Sequence, residues 1–72
     1  MKSIYDLQYR AMVQKLVDRR KAAGLTQQRL GQLMGLDQSI ISKIETNLRR
    51  LDVIKTIRLC EAIGCELGDV LP

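Results

Sequence analysis

The stretch Gly24-Leu-Thr-Gln-Gln-Arg-Leu-Gly-Gln-Leu-Met-Gly-Leu-Asp-Gln-Ser-Ile-Ile-Ser-Lys-Ile-Glu45 reads as two short amphipathic helices joined by a tight turn. Thr26 is placed to N-cap a helix over Gln27 to Met34, with Leu30, Leu33 and Met34 turned inward. Gly35 ends that helix. Asp37 is placed to cap a second one, Gln38 to Glu45, with Ile41 and Ile44 inward. Ile40 falls at the edge of the apolar face, where it can pack on the preceding helix or meet a thymine methyl. The opposite face carries Gln38, Ser39, Ser42, Lys43 and Thr46, all short, uncharged or cationic, and rich in hydrogen-bonding groups. Such a face suits the edges of base pairs in a major groove.

The flanking sequence extends the helical pattern in both directions. Ser3 followed by Asp6 resembles a capping box that opens a first helix, with Gly24 as its C-terminal stop after Ala23. Tyr5, Tyr9, Met12, Val13, Leu16 and Arg20 share one broad face of it. Ile4, Leu7 and Ala11 lie on another, so the first three turns are apolar on two sides. That second side fits either packing on the chain's own last helix or contact with a second chain. Beyond Glu45, Thr46 to Leu51 forms a linker in which Asn47 is the natural left-handed residue. Asp52 then caps a helix over Val53 to Ile63, stopped by Gly64, whose inward residues are Val53, Ile57, Leu59 or Cys60, and Ile63. A last short helix, about Glu66 to Leu71, carries Leu67, Val70 and Leu71. No internal repeat or low-complexity segment divides the chain, so residues 1–72 read as one all-α domain. Residues 1–12 form a helical extension and residues 26–45 form the paired helices.

Composition narrows the chemistry. The 72 residues carry 12 Lys+Arg against 8 Asp+Glu and a formal net charge of +4. Residues 13–50 hold eight basic and three acidic side chains, whereas residues 51–72 hold two and four. A basic middle beside an acidic end points to one face built for a polyanion. There is no Phe, Trp or His and there are only two Tyr, which argues against stacking on single-stranded nucleic acid and against histidine chemistry. With no His, no nucleophile–base pair, no Gly-rich phosphate loop and no metal-ligand cluster, an enzyme, a metal site and a bound cofactor are not expected. Cys60 and Cys65 lack metal-ligand or redox-motif spacing and read as reduced, packed thiols. No signal peptide or long apolar run is present, so a cytoplasmic location is expected.

The segment from about Val13 to Leu71 resembles the helix-turn-helix domains of the lambdoid phage repressor and Cro (XRE-type) family. The resemblance rests on Arg20, Gly24-Leu-Thr-Gln-Gln-Arg-Leu, Gly35-Leu-Asp-Gln-Ser-Ile-Ile-Ser-Lys-Ile-Glu45 and Leu59-Cys-Glu-Ala-Ile-Gly64. It implies a five-helix lambda-repressor-like DNA-binding domain whose recognition helix is Gln38 to Glu45, here with an extended first helix. It further implies base reading by Gln38, Ser39 and Lys43, with Ser42 serving base or phosphate. Gln27, Gln28, Arg49 and Arg50 would meet the DNA backbone, which adds affinity and salt dependence without sequence information. Arg20 and Glu45 match a structural ion pair of the family, and their positions on inward faces agree. Two residues depart from the pattern. Gly31 stands where alanine is usual, at a helix cost of about 1 kcal/mol, and Asn47 stands where glycine is usual.

The functional expectation is therefore a sequence-specific regulator of double-stranded DNA acting as a homodimer, with a repressor as the leading form. The alternative is a protein-interaction module, such as an antitoxin or adaptor, that binds a toxin or another regulator. The candidate contact surfaces for either partner are Ile4, Leu7 and Ala11 on the first helix, or Leu67, Val70 and Leu71 at the C-terminal end. RNA binding is a poorer third fit, because stacking aromatics are missing.

Overall fold

A computed structural model describes residues 3–72, which form four helices and a 3-10 turn. These are α1 (Ile4–Ala22), α2 (Gln27–Met34), α3 (Gln38–Glu45) and α4 (Val53–Ile63), followed by the turn Leu67–Asp69. Ser3, Thr26 and Asp52 each accept from the backbone N–H three residues on, at 3.2, 3.0 and 2.7 Å respectively. At Ser3 only this half of the expected capping box forms, because Asp6 turns instead toward Arg50. Asp37 occupies the N-cap of α3 by backbone conformation, but its side chain caps nothing, contrary to the sequence expectation.

The helices end by a shared device. After α2, Gly35 adopts φ +68°, Leu36 N donates to Gly31 O at 2.8 Å and Gly35 N to Gln32 O at 3.3 Å. This left-handed stop satisfies carbonyls that would otherwise lack partners and reverses the chain within two residues. After α3, Asn47 does the same work at φ +63°, with Leu48 N donating to Lys43 O at 2.8 Å and Asn47 N to Ile44 O at 3.1 Å. Asparagine tolerates that region better than other residues with a Cβ, so the turn survives the absence of glycine.

Val13, Leu16 and Val17 of α1, Leu30 of α2, Ile41 and Ile44 of α3, and Leu59, Cys60 and Ile63 of α4 form the core. Burying each large aliphatic side chain stabilises the fold by roughly 1.5–3 kcal/mol. Three inward assignments change. Leu33 is half exposed, because Leu30 and Met34 take the single stripe that an eight-residue helix can bury. Val53 and Tyr5 are largely exposed, since both lie on turns that overshoot the core. The C-terminal segment is a 3-10 turn rather than a fifth α-helix. Gly68 disfavours helix there, and Asp69 Oδ2 folds back to accept from Glu66 N at 2.9 Å. Val70 is fully buried and closes the core, so, contrary to the sequence expectation, it offers no surface to a partner. Leu67 packs partly against the same cluster, while Leu71 stays exposed.

The extended α1 is fastened at its side. Tyr9 Oη accepts from Leu51 N at 2.8 Å, Asp6 pairs with Arg50 at 3.6 Å, and Lys15 Nζ donates to Leu71 O at 3.3 Å. Ile4, Leu7 and Ala11 remain exposed, so they do not pack on the last segment.

Candidate nucleic-acid interface

Three features set the geometry of α3. The Gly35 turn swings it off α2, Ile41 and Ile44 pin its inner face, and Glu45 anchors its last turn. Arg20 Nε donates to Glu45 Oε2 at 2.7 Å and Arg20 Nη2 to Glu45 Oε1 at 2.9 Å, a two-pronged pair. The side chains are 9% and 11% exposed. Arg20 Nη1 also donates to Leu25 O at 2.7 Å, which ties the α1–α2 connection to the same guanidinium. The fork therefore locks α1, the entry to α2 and the end of α3 together.

From that pair a line of amides reaches the surface. Gln27 Nε2 donates to Glu45 Oε1 at 2.9 Å, and Gln38 Nε2 donates to Gln27 Oε1 at 3.5 Å. The last contact is at the long limit for a hydrogen bond, so Gln38 is guided without being held. Gln27 retains its backbone N–H and a second amide proton at the positive end of α2, where an anion is favoured.

Gln38, Ser39 and Lys43 are exposed on the outer face of α3, and Ser42 is half-buried between them. Ile40 is half-buried at the edge. Thr46 is exposed as well, and its hydroxyl donates to Ser42 O at 2.9 Å, closing the helix end. Gln28, in the first turn of α2, and Arg49, in the linker after α3, are both exposed. Arg50 differs from Arg49. Its guanidinium lies 4.3 Å from the Tyr9 ring centroid and 3.6 Å from Asp6 Oδ1, so part of its charge is offset within the chain.

Two participants were not anticipated from sequence. The link from Gln27 to Glu45 joins residues 18 apart, and no periodic pattern announces it. Tyr9 as the acceptor for the linker carries a weak sequence signal, since a tyrosine on an apolar stripe usually finds a partner for its hydroxyl. Among the described residues, no helix is long and apolar enough to cross a membrane.

A helix-turn-helix family model, HTH_3, matches residues 16–70. Among solved structures, an XRE-family like protein from Pseudomonas syringae pv. tomato str. DC3000 superposes with a TM-score of 0.85 at 41% identity, covering 88% of this chain and 77% of that one. Comparison with curated proteins gives no match.

Proposed function

This chain belongs to the XRE-type helix-turn-helix family of non-enzymatic, DNA-binding transcription regulators, and we propose that it is a sequence-specific repressor. Helix α3 enters the major groove of double-stranded DNA. Gln38 reads adenine N6/N7 through its amide, Lys43 donates to guanine O6/N7, and Ser39 and Ser42 complete the contact. Gln27, Gln28 and Arg49 hold backbone phosphates, with Arg50 contributing less because Asp6 and Tyr9 already engage it. The observation that carries this reading is the exposed polar face of α3, fixed from behind by the Arg20–Glu45 fork.

An eight-residue recognition helix spans only a few base pairs. Two copies on a pseudo-palindrome about one helical turn apart supply the remaining specificity, which supports a homodimer. Of the apolar residues available for that contact, Ile4, Leu7, Ala11 and Leu71 are exposed. The same surfaces would serve a toxin or regulator partner if the chain worked as an antitoxin or adaptor. A DNA-bound regulator of this kind works in the cytoplasm. Stoichiometry on a selected duplex tests the dimer: two chains per site support it, and saturation at one chain per site contradicts it.

A further inference from the structure

We propose that the α1 extension supplies a backbone-phosphate site of its own, centred on Arg10, where α1 meets the α3–α4 linker. This rests on the reading of α3 as the groove-entering helix. A concavity of about 320 Å³ opens there, lined by Asp6, Tyr9, Arg10, Asn47, Leu48 and Arg50. That is room for a phosphate group and several waters at roughly 30 Å³ each. It lies next to the base-reading face, because Leu48 N and Arg49 N both donate to Lys43 O, at 2.8 and 3.1 Å.

Charge selects the ligand. Asp6 answers Arg50 at 3.6 Å, whereas Arg10 is exposed and has no ion pair among the described residues. The lining therefore carries one uncompensated positive charge, on a guanidinium whose fork matches phosphate oxygens. Position is fixed as well. The neighbouring Tyr9 accepts from Leu51 N at 2.8 Å, so the backbone bearing Arg10 is registered against the linker. Leu48, 79% exposed at the rim, offers apolar surface to a deoxyribose. Asn47 Oδ1 is a buried acceptor without a donor on the same lining, and Arg10 has donors enough for it and for a phosphate. The ligand class is a phosphodiester of the duplex already gripped by α3, not a free anion.

The test compares wild type, Arg10→Gln and Arg10→Lys for duplex affinity between 50 and 200 mM salt, with thermal melts to verify folding. Arg10→Gln is expected to flatten the slope of log affinity against log salt by about 0.9, so its deficit shrinks about threefold across that range. Arg10→Lys should keep the slope, and base preference should be unchanged in both. An unaltered slope in Arg10→Gln, with wild type still binding salt-dependently, overturns the site and leaves the α3 reading intact. No salt-dependent duplex binding by wild type overturns both. Titration with inorganic phosphate, followed by amide shifts at residues 9–11 and 47–50, separates the sources. Shifts at millimolar phosphate together with an unaltered salt slope mark a free-anion site and also overturn the proposal.

Discussion

Gln27 Nε2 and Arg20 Nη2 donate to the same oxygen, Glu45 Oε1, each at 2.9 Å. The glutamine that opens α2 at the surface is thereby coupled to the ion pair that holds α3 from inside. Under the proposed function, positioning of α3 and contact with the DNA backbone would be joined in this one side chain.

Gln27→Ala should consequently affect two measurements. Loss of a hydrogen bond to the charged Glu45 carboxylate should cost about 1.5–3 kcal/mol in chemical denaturation. Duplex affinity should fall for every sequence, and preference at the base step read by Gln38 should relax because Gln27 Oε1 no longer guides its amide. Unchanged preference at that step would show that the 3.5 Å contact guides nothing.

Glu45→Ala leaves the Arg20 guanidinium buried with only Leu25 O as partner. A stability loss of about 3–5 kcal/mol is expected, as for other buried pairs broken on one side. Urea unfolding measures it. A variant as stable as wild type contradicts the structural role assigned to the pair.

Gly31→Ala should destabilise the fold, against the gain of about 1 kcal/mol that helix propensity alone offers. A Cβ built at Gly31 falls 2.5 Å from the Leu36 carbonyl oxygen, which belongs to the turn and cannot swing aside as a side-chain tip would. A net loss of about 1–3 kcal/mol follows from such overpacking. A raised melting temperature would mean that the α2–α3 turn yields at little cost.

Cys60 is 2% exposed, and burial, reinforced by contact with Cys65, pushes its thiol from 9.0 up to about 11. The folded state therefore holds this proton more tightly than the unfolded chain does. Its contribution to stability is complete below pH 9 and is lost as pH rises toward about 11, where both states are ionised. Cys60→Ala, followed by unfolding at pH 8 and pH 10.5, should show a smaller pH-dependent decline than wild type. An equal decline in both proteins contradicts the shift. In wild type, a thiol reagent at pH 8 should label half-buried Cys65 before Cys60.

The helices were legible because their signals are local. Thr26 and Asp52 lie three residues before the amides they cap, and Leu30, Ile41, Ile44 and Ile63 repeat at helical spacing. Asp37 shows the limit of that logic: residue type marks the boundary, but the rotamer decides whether a cap bond forms. Leu33 and Val53 were misplaced because periodicity gives a direction around a helix and not how far the core extends along it. The last segment has apolar spacing suited to a helix, yet Gly68 and the Asp69 fold-back keep it to one 3-10 turn.

Within the candidate site, the exposed face of α3 followed from spacing alone. The Arg20–Glu45 partnership drew on the family resemblance as well as on two inward-facing charges. The different standing of Arg49 and Arg50 could not be read from an Arg-Arg dipeptide. It depends on Asp6 and Tyr9, more than forty residues earlier, folding under the linker.

Direct reading of base edges by α3 is tested by selecting bound duplexes from a random pool. Wild type should enrich a pseudo-palindromic sequence with half-sites about one helical turn apart. Gln38→Ala and Lys43→Ala should each lose preference at a distinct position while keeping salt-dependent binding. Absence of enrichment by wild type, or identical enriched sequences for all three proteins, would contradict it.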